Sequence, residues 1–367
     1  MNTVLDLFAG PGGWSEGLRR LGLRDVGIET DPAACATRTA AGHATIRADV
    51  AAYPTQPLVG KVAGLIASPP CQTFSTAGLR AGSDDLPLCH EALDDLAHGN
   101  DTREHLRTAC ADKRSLLVAE PLRYALDLHP EWIVLEEVPA VLPLFEHTAR
   151  LLKVAGYSTW TGVLNAADFG VAQTRRRAFL LASRTHPALP PDPTHGKNTH
   201  VDLFGSARQS WVSMADALGL EPGVTVNTRG ARPTDKRGRA AGGNEFSADG
   251  PSNALTGRAR SWKLRSGQGW KSSPGQPTGN TDRYERMISE PSFTITGTAN
   301  RCKWIGDGVE ERNLTLAEAA ILQSFPSDYP FHGTRTSQFQ QIGNAVPPLL
   351  ATAALRSIAA AALEVAA

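Results

Sequence analysis

The sequence predicts an α/β protein in which a parallel sheet clad in helices is joined to a smaller, irregular, β-rich segment. Three observations predict it. Short apolar runs alternate with polar or helical stretches through the first half, as they do where helices cover both faces of a sheet. Glycines 10, 12 and 13 interrupt the chain between the first apolar run and the first helical stretch. From about His186 the texture changes: PALPPDPTHGKNTH is Pro-rich, and the segment beyond it is rich in Gly, Ser, Thr and Arg, with Trp211, Trp262, Trp270 and Trp304. At 367 residues and 41% hydrophobic, the chain can fill one large core and a second, smaller domain.

Thr3 to Ala9 (TVLDLFA) reads as a buried strand, followed by the glycine turn and a helix from about Ser15. Asp25 to Ile28 is a second strand, and a third should end near Asp49. Lys61 to Ala67 (KVAGLIA), Trp132 to Leu135 (WIVL) and Phe179 to Ala182 are further strands. The polar stretch from Leu79 to Ser115 is expected to be partly helical. Helical periodicity returns at Thr315 (TLAEAAILQSF), and an Ala-rich helix runs from Leu349. PSNALTGRARSWK and PSFTITGTANRCK share a spaced pattern that suggests a short β-unit used twice.

Composition excludes several classes. No apolar run approaches the roughly 18 residues of a spanning helix, and no targeting leader is expected at Met1. Cys35, Cys71, Cys89, Cys110 and Cys302 form an odd set without a C-x-x-C pair, which argues against a disulfide framework and for a reducing cytoplasm. Cys89, His90, His98, His105 and Cys110 lack any standard ligand spacing, so no metal is expected. Lys+Arg and Asp+Glu both total 37, yet between Lys197 and Lys303 there are 16 basic and 9 acidic residues. That local excess suits a nucleic-acid partner, and equally a solvated loop region.

Candidate site residues cluster at predicted strand ends. A glycine turn between strand and helix lets a ligand lie against backbone N–H groups, although Ser15 replaces the third glycine of a G-x-G-x-x-G pattern. Glu29 (GIETDP) could accept ribose hydroxyls and Asp49 (ADV) an adenine amine, or either could cap a helix. SPPCQTFS places Cys71 on a Pro-braced loop directly after a strand, and VLEEVP brings Glu136 and Glu137 to the same sheet edge. QTRRR sets Gln173, Arg175 and Arg177 on one face of an extended segment, a fan suited to a phosphate or carboxylate.

The ordered set DLFAGPGG, GIETDP, ADV, SPPCQTFS, LEEVP, QTRRR, LTLAEAAILQSFP and QQIGNAVPP resembles the motif series of the DNA (cytosine-5)-methyltransferase family, across nearly the whole chain except about 186–310. The resemblance implies a Rossmann-like S-adenosylmethionine-dependent methyltransferase sheet. It divides the chain into a catalytic and cofactor-binding part (1–187), a target-recognition domain (188–310) and a C-terminal part completing the catalytic domain (311–367). It implies catalysis by Cys71, Glu136, Gln173, Arg175 and Arg177. The S-adenosylmethionine site would take Phe8, Ala9, Gly10, Gly12, Gly13, Glu29, Thr30, Asp49, Val50, Pro70, Asn344 and Val346. Arg229, Arg237, Arg258, Arg260 and Lys263 would touch the phosphates of double-stranded DNA.

In that chemistry the Cys71 thiolate adds to C6 of a flipped cytosine, Glu136 engages N3, and a methyl group passes to C5. The enzyme would work as a monomer away from any membrane, on sites shared with a cognate restriction endonuclease but with no physical complex. One departure stands out: Glu137 occupies the place where the family usually has Asn, and would be protonated or paired with an arginine. Three other readings remain: a transfer-RNA cytosine-5 methyltransferase, a DNA-binding homologue that has lost catalysis, and a nicotinamide-dependent oxidoreductase suggested by the glycine turn alone.

Overall fold

The structure is a computed structural model that describes residues 3–70, 74, 84–197, 208–220, 225–227, 245–247, 292–293, 303–306 and 309–359. The chain forms two compact units. Unit 1 comprises Met1–Leu164, Arg176–Asp192 and Leu350–Ala367, and unit 2 comprises Asn165–Arg175 and Pro193–Leu349. The long segment of unit 2 begins after Asp192 and runs to Leu349.

Unit 1 is built on a seven-stranded sheet. Its strands are β1 (Thr3–Leu7), β2 (Asp25–Glu29), β3 (Ala44–Arg47), β4 (Val62–Ala67), β5 (Trp132–Glu137), β6 (Ser158–Asn165) and, after the two-residue β7 (Gln173–Thr174) of unit 2, β8 (Arg176–Ser183). The order is β3-β2-β1-β4-β5-β8-β6. β1 pairs parallel with β2 and β4, β2 with β3, and β4 with β5. The central strands are apolar without alternation because helices bury both faces.

The sheet is parallel as expected except at one end, where β8 runs antiparallel to β5. A parallel return needs a crossover of a dozen or more residues, usually helical. Between β6 and β8 the chain has only the short 3-10 turn Ala166–Phe169 and β7. β6 itself is not among the strands expected from sequence, since STWTGVLN is mostly half-buried and lacks a continuous apolar run.

Helices α1 (Gly13–Arg19) and α2 (Pro32–Ala40) follow β1 and β2, and Asp31 caps α2 by accepting from Ala33 N and Ala34 N. The polar stretch folds into α3 (Leu86–Ala97) and α4 (Arg103–Ala109), followed by α5 (Glu120–Leu128); α6 (Leu142–Val154) follows β5. Leu93, Leu122, Phe145 and Leu152 from these helices join Leu65, Ile133 and Leu180 of the sheet in one core.

Unit 2 contains short strands of two to five residues, four of them (245–247, 225–227, 303–306, 309–313) in one antiparallel sheet. Its helices are α7 (Met214–Leu218), α8 (Leu316–Leu322) and α9 (Arg335–Asn344). α8 opens on a capping box, with Thr315 and Glu318 each accepting the other's backbone N–H, as the T-x-x-E spacing predicts. A last helix, α10 (Pro348–Ile358), carries the chain back into unit 1. The suggested β-repeat lies almost wholly outside the described residues.

Candidate active site

Beyond Leu7 the backbone turns sharply, with positive φ at Phe8 (58°), Gly10 (52°) and Gly12 (105°). Glycine adopts this conformation freely, whereas Phe8 does so at a cost of about 1 kcal/mol. Ala9 N donates to Ile28 O at 3.1 Å and Gly12 N to Ala9 O at 3.2 Å, which fixes the turn against β2. A Cβ at Gly10 would meet nothing nearer than Phe8 O at 4.0 Å, so space opens over the loop there. Gly12 and Gly13 are buried.

Glu29 ends β2 beside this turn. Its Oε2 accepts from Gly10 N at 2.8 Å, and its Oε1 accepts from Thr30 N and Asp31 N at 2.8 Å each. A carboxylate offers about four acceptor positions, so a diol bound here would share the group with these amides. Asp49 lies two residues past β3, exposed, with Oδ1 accepting from Ala51 N at 2.9 Å in a local turn. Val50 is buried, and its carbonyl accepts from Tyr124 Oη at 3.0 Å and Arg123 Nη2 at 2.8 Å. Pro70 is half-buried. All of these belong to unit 1; in unit 2, Asn344 is exposed at the end of α9 and Val346 is buried just beyond it.

The next sheet edge carries the chemical candidates. β4 and β5 pair with Ala67 opposite Leu135, so the loop leaving β4 through Ser68 and the end of β5 lie side by side. Trp14 Nε1 donates to Ser68 Oγ at 2.9 Å and its ring meets Phe179 edge-on, tying α1 to this loop. Nothing in the sequence pattern singles out that bond. Cys71 itself lies outside the described residues, as do Arg229, Arg237, Arg258, Arg260 and Lys263.

β5 runs two residues further than expected, so Glu136 and Glu137 are strand residues, and both are buried. Glu136 faces Phe179 across the antiparallel pair, and Arg177, two residues along β8, shares its face. The Arg177 Nε lies 3.1 Å from Glu136 Oε1. Glu137 points to the other face, where its Oε2 accepts from Val138 N. Of the two arginines that open β8, Arg177 is engaged with Glu136.

The expected fan of Gln173, Arg175 and Arg177 divides. Gln173 and Arg175 are buried in unit 2: Gln173 Nε2 donates to Leu322 O at 3.1 Å and Gln323 Oε1 at 2.6 Å, and Arg175 Nη1 donates to Gly343 O at 2.9 Å. Gln323 Nε2 continues the chain to Ala345 O at 2.6 Å. Three sequence motifs are thus stitched together through Gln323, which nothing in the pattern of LQSFP singles out. Arg177 pairs with Glu136 of β5.

In the region of α3 and α4, Cys89 is buried, its thiol donates to Ser115 O, and burial pushes its pKa up to about 12. His90 Nδ1 lies 2.7 Å from His147 Nδ1, and His147 Nε2 lies 2.8 Å from Asp94 Oδ1. Among the described residues no group of three or more His, Cys, Asp or Glu is arranged to hold a metal.

A glycine turn after β1, an acid ending β2, a buried acid ending β5 and an antiparallel β8 beside it define the class: a Rossmann-like methyltransferase sheet. The chain belongs to the C-5 cytosine-specific DNA methylase family, which it matches over residues 2–87 and 105–360, and is thereby a DNA (cytosine-5)-methyltransferase. Residues 88–104, left out of that match, fall within the long polar stretch. The Type II methyltransferase M1.HphI of Haemophilus parahaemolyticus is 28% identical over 97% of this chain and 86% of its own length. Type II methyltransferase M.AquIA of Picosynechococcus is 30% identical over 60% of this chain and 90% of its own. Among solved structures, the S. pombe Dnmt2 methyltransferase covers 99% of both chains at a TM-score of 0.56 and 17% identity, which is a likeness of fold. These relatives place the chain among enzymes of the restriction-modification type.

Proposed function

We propose that the protein transfers a methyl group from S-adenosylmethionine to C5 of a flipped cytosine in a specific duplex DNA sequence, through a covalent bond between Cys71 and C6. The observation that carries this reading is the β4–β5 edge: the SPPC loop leaves β4 beside the buried, arginine-paired Glu136 of β5. The donor site fits the residues present, since open space over Gly10 lies next to a carboxylate held by three amides. Phe8, Ala9, Gly12, Gly13, Thr30, Asp49, Val50 and Pro70 of the same unit would complete it. When bound, the donor supplies an electrophilic methyl on a sulfonium.

The residues divide the work. Cytosine C5 is a poor nucleophile until the Cys71 thiolate adds to C6 and makes C5 enamine-like. A free thiol titrates at about 8.5, so a cation near Cys71 favours the thiolate. Glu136 hydrogen-bonds or protonates N3 as negative charge arrives on the ring, and Arg177 fixes the carboxyl's orientation. After C5 has gained its methyl, a base removes the C5 proton and the Cys71 thiolate leaves C6. Gln173 and Arg175 act by bracing unit 2. Glu137 stands where the family usually has Asn, and its side chain holds the end of β5 through Val138.

Residues 188–310 serve as the target-recognition domain, with Arg229, Arg237, Arg258, Arg260 and Lys263 on phosphates. Residues 311–367 complete the catalytic domain. The protein would act as a monomer in the cytoplasm on sites shared with a cognate endonuclease, without binding it; its kinship with Type II methyltransferases supports the restriction-modification setting alone. The test uses a tritiated methyl donor and duplex DNA, with wild type beside Cys71→Ser. Label at C5 of cytosine from wild type alone supports the reading. Label in transfer RNA but not DNA would move the substrate to RNA, and donor binding without transfer would mark a silenced catalyst.

A further inference from the structure

We propose that Arg38 is the positioning residue of the methyl-donor loop: its guanidinium, fully buried behind the glycine turn, sets where Ala9, Gly10 and Glu29 stand. This rests on the donor-site reading above.

Arg38 lies on α2, and its side chain runs underneath the turn. Nη2 is 2.8 Å from Asp25 Oδ2 and 3.2 Å from Ala44 O. Nη1 donates to Ser15 Oγ at 3.0 Å and reaches Ala9 O at 3.4 Å, while Nε donates to Thr45 Oγ1 at 3.0 Å. Asp6 Oδ2 is 3.7 Å from Nη1, and Ser15 Oγ donates to the same Asp25 oxygen at 2.9 Å. One planar group therefore touches β1, the turn, α1, β2 and β3.

The fold makes room for it. A Cβ at Gly27 would stand 2.2 Å from Arg38 Nη2 and 2.6 Å from Ala9 Cβ, so β2 is notched at the one position where guanidinium and turn meet. Two residues further along β2, Glu29 accepts the Gly10 N–H. The turn and the acid are thus two ends of one short path, Ala9–Arg38–Asp25 on one side and Gly10–Glu29 on the other.

Stability alone is a weak reason for such a group. Burying a guanidinium–carboxylate pair costs desolvation that its attraction roughly repays, and apolar side chains of similar volume would hold the layers as well. What apolar packing cannot supply is direction. The five donors of a planar fork fix the angle between the elements they touch, and a lysine supplies the charge without that geometry.

The test measures donor affinity on the full-length protein for wild type, Arg38→Lys and Ser15→Ala. Equilibrium binding of S-adenosylmethionine is read beside kcat and KM on duplex DNA and beside melting temperature. Arg38→Lys is expected to raise the donor Kd and KM about tenfold, the scale of one lost charge-assisted hydrogen bond, with kcat at saturating donor moving less than twofold. Ser15→Ala, which removes one anchor of the fork and spares the charge pair, raises the donor Kd in the same direction by a smaller factor. Lower melting temperatures with donor Kd unchanged in both variants would overturn the proposal, leaving Arg38 a core residue only. If Arg38→Lys does not fold, wild-type donor affinity in Ser15→Ala overturns it. Failure of the wild type to bind the donor would instead strike the donor-site reading itself.

Discussion

Asp6 and Asp25 share one buried pocket with a single guanidinium, and Arg38 stands 2.8 Å from Asp25 but 3.7 Å from Asp6. Burial first, then the charges of Asp25 and Glu29, push the Asp6 carboxyl well above the usual carboxylate range, with Arg38 opposing. The native protein therefore binds this proton more readily than the unfolded chain. As pH falls from the raised native value towards the unfolded one, Asp6 adds stability, and above that window it is a penalty. Asp6→Asn mimics the protonated acid and should keep or raise the melting temperature at pH 8. Asp25→Asn removes the carboxylate nearest to Arg38 and should cost about 3 kcal/mol, read from denaturant unfolding of the two variants side by side. At the chemical end, Glu136→Gln should abolish methyl transfer while donor binding persists. Full activity in Glu136→Gln together with loss in Glu137→Gln would reverse the assignment of the two acids.

At the scale of elements, α3, α4 and the turn between them include the residues that the family match omits, and both helices are held to the rest of unit 1 by buried polar contacts. Arg103 on α4 binds Glu120 at the start of α5, which also accepts from Arg123 Nε at 3.0 Å and lies 3.3 Å from Arg107 Nη2. Glu120→Ala leaves these guanidiniums without their common carboxylate and should destabilise unit 1 by about 3 kcal/mol. On the other side, His90 and Asp94 of α3 grip His147 of α6. Burial, then His147, and also Arg150, depress the His90 pKa below its ordinary 6.5, against Asp94. The sign is opposite to that of Asp6: the unfolded chain takes up this proton more readily, so stability is lost as pH falls below about 6.5. His90→Gln should flatten the fall in melting temperature between pH 7 and 5 relative to wild type. Within the sheet, a Cβ at Gly64 would stand 2.1 Å from the Trp132 ring, so Gly64→Ala should cost about 1–3 kcal/mol and disturb the strand that leads to Cys71.

At the scale of the molecule, basic charge is concentrated in the chain between Lys197 and Lys303 while the total is balanced. If that segment tracks phosphates, DNA affinity should fall steeply with salt. Replacing Arg258 or Lys263 by Ala should then reduce the log–log slope by about 1 without changing the preferred site. A slope unmoved by both substitutions would remove those residues from the interface.

The strands β1, β4 and β5 were legible because burial on both faces forces largely apolar runs, and α8 because its apolar residues recur at helical spacing. The glycine turn and Glu29 were legible because backbone chirality and strand ends restrict which residues can stand there. Local chemistry could not show the direction of β8, the half-exposed β6, or the grouping of residues 311–349 with unit 2. Nor could it show that Gln173 and Arg175 serve carbonyls 149 and 168 residues downstream, at Leu322 and Gly343, or that Arg38 lies beneath the donor loop. The sequence by itself determined the central strands, the turn and the order of the chemical groups, since each depends on neighbours in the chain. Only the tertiary structure decided which polar groups meet, because a buried donor bonds whichever acceptor the packing of distant segments brings within reach.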